Sequence, residues 1–176
     1  MTISMYQASI PVFIRQLNSL SHVLTKGEAS AKERGIDPEI FINDRLAPDM
    51  LPLKNQIYIA TDISKFFAVR LGGLEAPKFP DTENSFAELQ DRIQKTIAFF
   101  QTVKPEQIDG TEEKPVVIPS KVRGDLHFNG LDYLTGFVLP NLYFHCTTTY
   151  AILRHNGVPL GKMDFFAQPE NVSKAA

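Results

Sequence analysis

The sequence predicts an all-α protein: a four-helix bundle with a small irregular or β-hairpin insertion before the last helix. Four long segments carry apolar residues at intervals of three and four, the spacing that places them on one side of a helix. Residues 105–128 instead contain short β-branched runs that turn residues interrupt. Four amphipathic helices bury their apolar sides by packing against one another, and that arrangement is a bundle.

The first predicted helix begins near Tyr6 and has the most regular apolar stripe. Pro11 falls in its early part, where a proline is tolerated, and Gly27 is expected to end it. A short helical piece over 28–34 follows, and then another over 37–43 that opens with an aspartate cap and a proline. The stripe of the first helix consists of Tyr6, Ile10, Phe13, Leu17, Leu20 and Leu24.

The second predicted helix runs from about Leu53 to Leu71 and stops at Gly72 and Gly73. Gln56 interrupts its apolar stripe, so the amide is expected to point toward the core. The apolar residues of the inner side are Leu53, Ile57, Ala60, Ile63, Phe67 and Leu71. The polar residues expected to favour the opposite side are Lys54, Tyr58, Thr61, Asp62 and Lys65.

The third and fourth predicted helices complete the bundle. The third starts at an Asp81 cap and ends before Pro105. Its inner side carries Phe86, Leu89, Ile93, Ile97 and Phe100. The fourth helix covers about 129–155, and Pro140 within it is expected to kink or loosen the helix just before Asn141.

The composition is that of a soluble globular protein, and we expect a single domain over residues 1–176. Apolar residues make up 43% of the chain, charged residues 22%, and the net charge is −2. This charge gives no reason to expect nucleic acid or an anionic membrane as a partner. No apolar run approaches the roughly 20 residues of a membrane span, and no signal peptide is visible, so a cytoplasmic location is expected.

A group of polar side chains is predicted to point into the bundle. Asn141, His145 and Thr149 are four residues apart and therefore share one side of the fourth helix. Gln56 would face them from the second helix, and Tyr6 could add a hydroxyl from the first. Burying such groups without partners costs about 1–3 kcal/mol each, so they must bind one another, water or a ligand.

Three interpretations of this group remain open from the residues alone. The first is an internal hydrogen-bonded network around a neutral His145. The second is a pocket for a small ligand, in which His145 is the candidate catalytic base or hydrogen-bond donor. The third is a Zn or Ni centre on His145, for which Asn141 is a poor second ligand and Asp62 lies off the stripe. No cofactor is therefore expected, and a divalent metal is the alternative.

The single cysteine does not change this picture. Cys146 cannot form an internal disulfide, and consecutive helical residues point about 100° apart, which makes it a poor nucleophile partner for His145. A small buried side chain is the interpretation we favour.

Three stretches of the chain resemble a bacterial family of unknown function in the DinB/YfiT-like superfamily, which includes metalloenzymes. They are P-N-L-Y-F-H-C-T-T-T-Y-A-I-L-R-H-N-G-V-P-L-G-K at 140–162, R-L-A-P-D-M-L-P-L-K-N-Q at 45–56 and A-T-D-I-S-K-F at 60–66. The resemblance covers nearly the whole chain. Asp62 lies within the third stretch and is for that reason carried as a further candidate residue of the ligand pocket. It implies a down-up-up-down four-helix bundle that is often dimeric, so a homodimer is expected.

The resemblance also implies where a metal would lie. Metal-binding members of the superfamily carry one histidine on helix 2 and H-x-x-x-H on the last helix, followed by a leucine-arginine pair. Aligned on Leu153 and Arg154, His145 corresponds to the second of these histidines and Asn141 to the first, and the helix 2 histidine has no counterpart. The resemblance therefore implies a degenerate metal site in a small-ligand-binding or structural domain. A metal-dependent or histidine-based enzyme, of the thiol transferase or isomerase type, is the alternative.

Overall fold

The computed structural model describes residues 2–120, 122 and 124–166, and the predicted four-helix bundle with a small hairpin is confirmed there. Within these residues no helix has the length and apolar character that crossing a bilayer requires. The last ten residues of the predicted domain, 167–176, lie outside the described ranges. The elements are α1 (Met5–Glu33), α2 (Pro38–Asn43), α3 (Leu53–Gly72), α4 (Phe86–Gln101), α5 (Pro105–Ile108), β1 (Val116–Ile118), β2 (Leu126–Phe128), α6 (Gly130–Asp132), a π-helix (Tyr133–Val138), α7 (Leu139–His155) and α8 (Lys162–Phe166).

The four long helices form a closed ring of neighbours: α1 packs against α4, α4 against α3, α3 against α7, and α7 against α1. Paired contacts give their directions, because α1 is antiparallel to α4 and parallel to α7, while α3 is antiparallel to α7. This is the down-up-up-down order that the resemblance implies. The contacts are Phe13 with Phe100, Gly27 with Phe86 and Leu153, Gln16 with Cys146, Gln56 with His145, and Arg70 with Tyr133.

The prediction that Gly27 ends the first helix is wrong, because α1 continues to Glu33. Gly27 is buried, and a Cβ atom at this position would lie 2.9 Å from a methyl group of Leu153 on α7. A glycine within a helix costs about 1 kcal/mol relative to alanine. Here it allows α1 and α7 to approach closely, and the packing of the two helices offsets that cost.

The start of the third long helix also differs from the prediction. Ser85, rather than Asp81, is the N-cap of α4, and its Oγ accepts a hydrogen bond from the Glu88 backbone N–H at 3.2 Å. The Glu88 carboxylate in turn accepts a hydrogen bond from the Asn84 N–H at 2.9 Å. Asp81 instead lies in the preceding loop with a positive φ of 57°.

The last long segment contains the loosened turn that Pro140 predicts. The π-helix Tyr133–Val138 ends immediately before α7, which has Pro140 in its first turn. Proline has no N–H to donate, and its ring excludes the carbonyl four residues earlier, so a wider turn relieves that clash. The predicted hairpin precedes this segment, with β1 and β2 antiparallel and Val117 opposite His127.

Candidate functional site

His145 and Gln56 form a direct hydrogen bond between α7 and α3. His145 Nδ1 lies 2.6 Å from Gln56 Oε1, and Gln56 Nε2 donates to the Leu51 carbonyl at 2.7 Å. A carbonyl oxygen only accepts, so the contact with Leu51 identifies the NH₂ end of the Gln56 amide. Gln56 Oε1 is then an acceptor, and Nδ1 of His145 carries the proton.

The imidazole of His145 is neutral at physiological pH. Burial lowers its pKa from 6.5 to about 4, and among the described residues it forms no ion pair that would oppose this shift. The Phe144 ring lies edge-on against it at 5.2 Å. The core-facing orientation predicted from the helical spacing agrees with the structure, since the side chain is 91% buried.

The second nitrogen of the ring remains available. His145 Nε2 has no hydrogen bond with any of the described residues. Within those ranges, Gln16 Nε2 is the one fully buried side-chain nitrogen or oxygen that lacks a hydrogen-bond partner. Because His145 Nε2 also lacks a partner but is not in that group, it is not fully buried and keeps some contact with solvent. In the tautomer that Gln56 selects, Nε2 carries a lone pair and acts as an acceptor. The network around His145 thus engages one ring nitrogen and not both.

Asn141 and Thr149 lie one turn before and one turn after His145 on α7. Thr149 is fully buried, and its Oγ1 donates to the His145 backbone carbonyl at 2.9 Å, so its own helix satisfies the hydroxyl. Asn141 is partly buried, and its amide has no hydrogen bond within the described part of the chain. Of these two neighbours of His145, Asn141 is therefore the one whose side chain has hydrogen-bonding groups available for a ligand.

Asp62 and Tyr6 are not brought to this group. Asp62 is six residues after Gln56, about 240° round α3, and it pairs with Arg92 at 2.8 Å and Lys65 at 2.7 Å. Tyr6 lies at the start of α1, where its backbone N–H donates to Asp109 Oδ1 at 2.7 Å. The Tyr6 hydroxyl has no hydrogen bond with the described residues.

Arg92 on α4 organises a second polar cluster that the sequence analysis did not identify. Its side chain is 1% exposed and donates to Thr61 Oγ1 at 2.8 Å, to the Tyr58 carbonyl at 3.2 Å and to Asp62. The guanidinium also pairs with the carboxylates of Asp81 and Glu83, at 2.5 and 3.2 Å. Arg92 is three residues after Leu89 and therefore lies on the apolar stripe of α4. This position is the feature of the sequence that could have predicted its burial.

This cluster covers the side of α3 on which the sequence placed the polar residues. Tyr58, Thr61 and Lys65 are 6%, 0% and 4% exposed, because α4 brings Arg92 against that side. Burial, followed by the nearby Glu83 charge, raises the pKa of Tyr58, so its hydroxyl stays protonated and donates to the Glu83 carbonyl.

Two clefts open beside the Arg92 cluster. One encloses about 400 Å³ between the loop over 77–83 and α4. The other encloses about 290 Å³ along the outer side of α3 and includes Asp62 in its lining. His145 lines neither cleft.

The described residues contain no cluster of three or more histidine, cysteine, aspartate or glutamate side chains that could hold a metal ion. Burial raises the pKa of Cys146 to about 12, and Gln16 lies beside its thiol. The thiol is thus protonated at neutral pH and sealed in the core, as the sequence indicated.

Comparison with known proteins agrees with this architecture. A family model described as a domain of unknown function (DUF1993) matches residues 5–166. The chain is also similar to the crystal structure of a DinB family member from Shewanella denitrificans, at 32% sequence identity and a TM-score of 0.86. That similarity covers 97% of this chain and 95% of the other. No functionally curated protein matches the chain significantly. The chain therefore belongs to the DUF1993 family and has the DinB-like fold.

Proposed function

We propose that this member of the DUF1993 family is a small-ligand-binding DinB-like domain that works without a resident metal ion. The hydrogen bond from His145 Nδ1 to Gln56 Oε1 is the observation that supports this most directly. It holds a neutral imidazole with Nε2 as an acceptor, and Asn141 supplies an adjacent amide with no partner among the described residues. An acceptor beside an amide suits a small neutral ligand that carries O–H or N–H groups.

The donor set does not fit the metal that the superfamily resemblance implies. Zn and Ni sites on helices use several imidazole, thiolate or carboxylate ligands that converge on one point. Here one imidazole faces two amides, and both ends of the Gln56 amide are already occupied, by His145 and by the Leu51 carbonyl. We therefore assign no metal-dependent step to this chain.

Metal analysis tests this proposal. After purification without chelator and dialysis against Zn or Ni, we expect well below one equivalent of metal per chain. The matched variant carries Gln56→His and Asn141→His, which add imidazoles on α3 and one turn before His145. We expect that variant to retain about one equivalent. One equivalent retained by the wild type would overturn the proposal.

Ligand binding can be tested at His145 itself. NMR titration with small alcohols, amides and phenols should shift the signals of His145 and Phe144, whose rings are in contact. His145→Gln should abolish the shift of the Phe144 signal, whereas His155→Gln, at an exposed position of the same helix, should preserve the shifts of both signals. Equal binding by both variants would place the ligand elsewhere and contradict the proposal.

A histidine-based enzyme of the superfamily's thiol transferase or isomerase type is the second candidate. The unengaged Nε2 favours it, because a general base needs a free lone pair. A pKa of about 4 makes the imidazole a weak base at neutral pH, and this favours binding over proton abstraction. Loss of a measured turnover in His145→Gln with unchanged substrate affinity would support the enzyme instead.

We also propose that the protein is a homodimer, as the resemblance implies, and that it is cytoplasmic, as expected from a sequence without a visible signal peptide. Two exposed aromatic side chains, Tyr143 and Phe144, lie on α7, and two exposed leucines, Leu46 and Leu51, lie in the connection before α3. A dimer interface that covers these side chains would remove their apolar surface from water. Sedimentation equilibrium would test it, and a monomer at micromolar concentration would contradict it.

A further inference from the structure

The cleft along the outer side of α3 is separate from the site at His145. Its volume of about 290 Å³ lies near the lower end of the range for pockets that bind small molecules. Its floor is formed by residues of α3 spaced three or four apart, which places them on one side of the helix. The other walls come from the loop before α4, from β1 and from the π-helix. The lining residues of α3 include Asp62, Ile63, Phe66 and Arg70.

Arg70 is the charged lining residue without an oppositely charged partner in the described chain. Its Nη1 donates to the Tyr133 hydroxyl at 2.7 Å, and the guanidinium lies over the rings of Phe66 and Tyr133 at 5.2 and 5.7 Å. Burial raises the pKa of Tyr133, so this hydroxyl is neutral and leaves the charge of Arg70 uncompensated. A guanidinium has five N–H donors, and Tyr133 uses one of them.

At the acidic end of the cleft, in contrast to Arg70, the charged side chains are already paired. Asp62 pairs with Lys65 and Arg92, and Asp81 pairs with Arg92 at 2.5 Å. Arg92 also pairs with Glu83, so three carboxylates share two cations there. Among the described residues this end therefore carries a net negative charge, which directs an anion to the Arg70 end. Asp62 and Arg70 are eight residues apart, about 12 Å along α3.

The wall between the two ends is apolar. Ile63 and Phe66 face the cleft from α3, Ile118 from β1 and Phe137 from the π-helix, and Ile63, Ile118 and Phe137 are only partly buried. Apolar surface that a ligand removes from water contributes roughly 25 cal/mol per Å². We propose that this cleft binds a small organic carboxylate with an apolar body, the carboxylate on Arg70 and the body against this wall.

The proposal goes beyond the function proposed for His145, because the two sites share no residue, and either can fail alone. The probes are octanoate, octanol and octylammonium, which share a chain length and differ in the charge of the head group. Titrated into the full-length protein by NMR, octanoate should bind at least about tenfold more tightly than the other two, as lost charge-assisted hydrogen bonds predict. Equal binding of octanol, or tighter binding of octylammonium, would overturn the proposal.

Substitutions at Arg70 and Phe66 test whether the carboxylate of octanoate binds Arg70. Arg70→Gln should weaken octanoate binding about tenfold and leave octanol unchanged, whereas Arg15→Gln, at an exposed position on α1, should change neither. Phe66→Glu keeps the core intact because Phe66 is 37% exposed, and its carboxylate, four residues before Arg70, would neutralise the guanidinium. We expect it to abolish octanoate binding. Full octanoate affinity in folded Arg70→Gln or Phe66→Glu would overturn the assignment.

Discussion

The neutral state of His145 predicts a specific loss of stability in acid. In the folded protein its pKa is lowered from 6.5 to about 4, because burial disfavours the imidazolium. Between these values the unfolded chain binds a proton that the folded chain does not, so acid favours unfolding. Stability should therefore fall as the pH drops through 6.5, and this loss should level off only below pH 4.

The size of the effect follows from the shift. A difference of 2.5 pKa units corresponds to about 3.4 kcal/mol at 1.36 kcal/mol per unit. At pH 5 the linkage relation gives roughly 2 kcal/mol of this, since the unfolded imidazole is then almost fully protonated. The value is a ceiling, because the ring is 9% exposed and its Nε2 is not sealed from solvent.

Urea unfolding at pH 8 and pH 5 measures the loss. Wild type should lose up to about 2 kcal/mol more than His145→Gln over this interval. His127→Gln, at an exposed strand position, should follow the wild type. Glu88 and Asp164 have pKa values lowered mainly by the backbone N–H groups of Asn84 and Gly161, so their contributions are lost at lower pH and cancel in the comparison.

An NMR titration of the histidine signals gives a direct check. A pKa near 6.5 for His145 would refute the assignment of a buried, neutral ring, and so would equal pH dependence in the wild type and His145→Gln. Either result would also remove the basis for treating Nε2 as an acceptor at the candidate site.

Two further substitutions test the packing, each against a matched control. In urea unfolding at pH 7, Arg92→Met should destabilise the fold by about 3 kcal/mol, because it leaves three carboxylates without their shared cation. Lys95→Met removes an exposed pair and should cost under about 0.5 kcal/mol in the same assay. Gly27→Ala should lower the melting temperature by a few degrees, because the added methyl group meets the buried Leu153 at 2.9 Å, and overpacking of roughly 1–3 kcal/mol outweighs the gain of about 1 kcal/mol in helix propensity. Gly136→Ala meets nothing within 4 Å and should not lower it. An unchanged Arg92→Met or a stabilised Gly27→Ala would contradict the contacts on which these expectations depend.

The helical spacing predicted more of this structure than the individual cap and stop residues did. The periodic stripes of α1, α3 and α4 and the inward direction of Gln56 and His145 agree with the structure, except that Tyr6 and Ile63 are only partly buried. The cap expected at Asp81 and the stop expected at Gly27 do not. A prediction from periodicity combines the preferences of many residues. A prediction of a cap or a stop depends on one residue, and tertiary contacts can override the preference of that residue.

The candidate site was predicted in part. His145 and Gln56 are joined as the two stripes suggested, but Asp62 lies on another side of α3 and pairs with Arg92. Arg92 itself was missed because an arginine on an apolar stripe is ordinarily expected to extend its charge to solvent. Nothing local indicates that Asp62, Asp81 and Glu83 come from two other segments to surround it.

The sequence by itself determined which segments are helical, which side of each is apolar, and that an imidazole and an amide point inward. These properties depend on neighbours three or four residues away, which the chain places on the same side of a helix. Only the tertiary structure decided that His145 donates to a residue 89 positions away, that Arg92 buries the polar side of α3, and that Arg70 has no oppositely charged partner among the described residues. Those outcomes depend on how the helices are rotated against one another, and the total packing of the core sets that rotation.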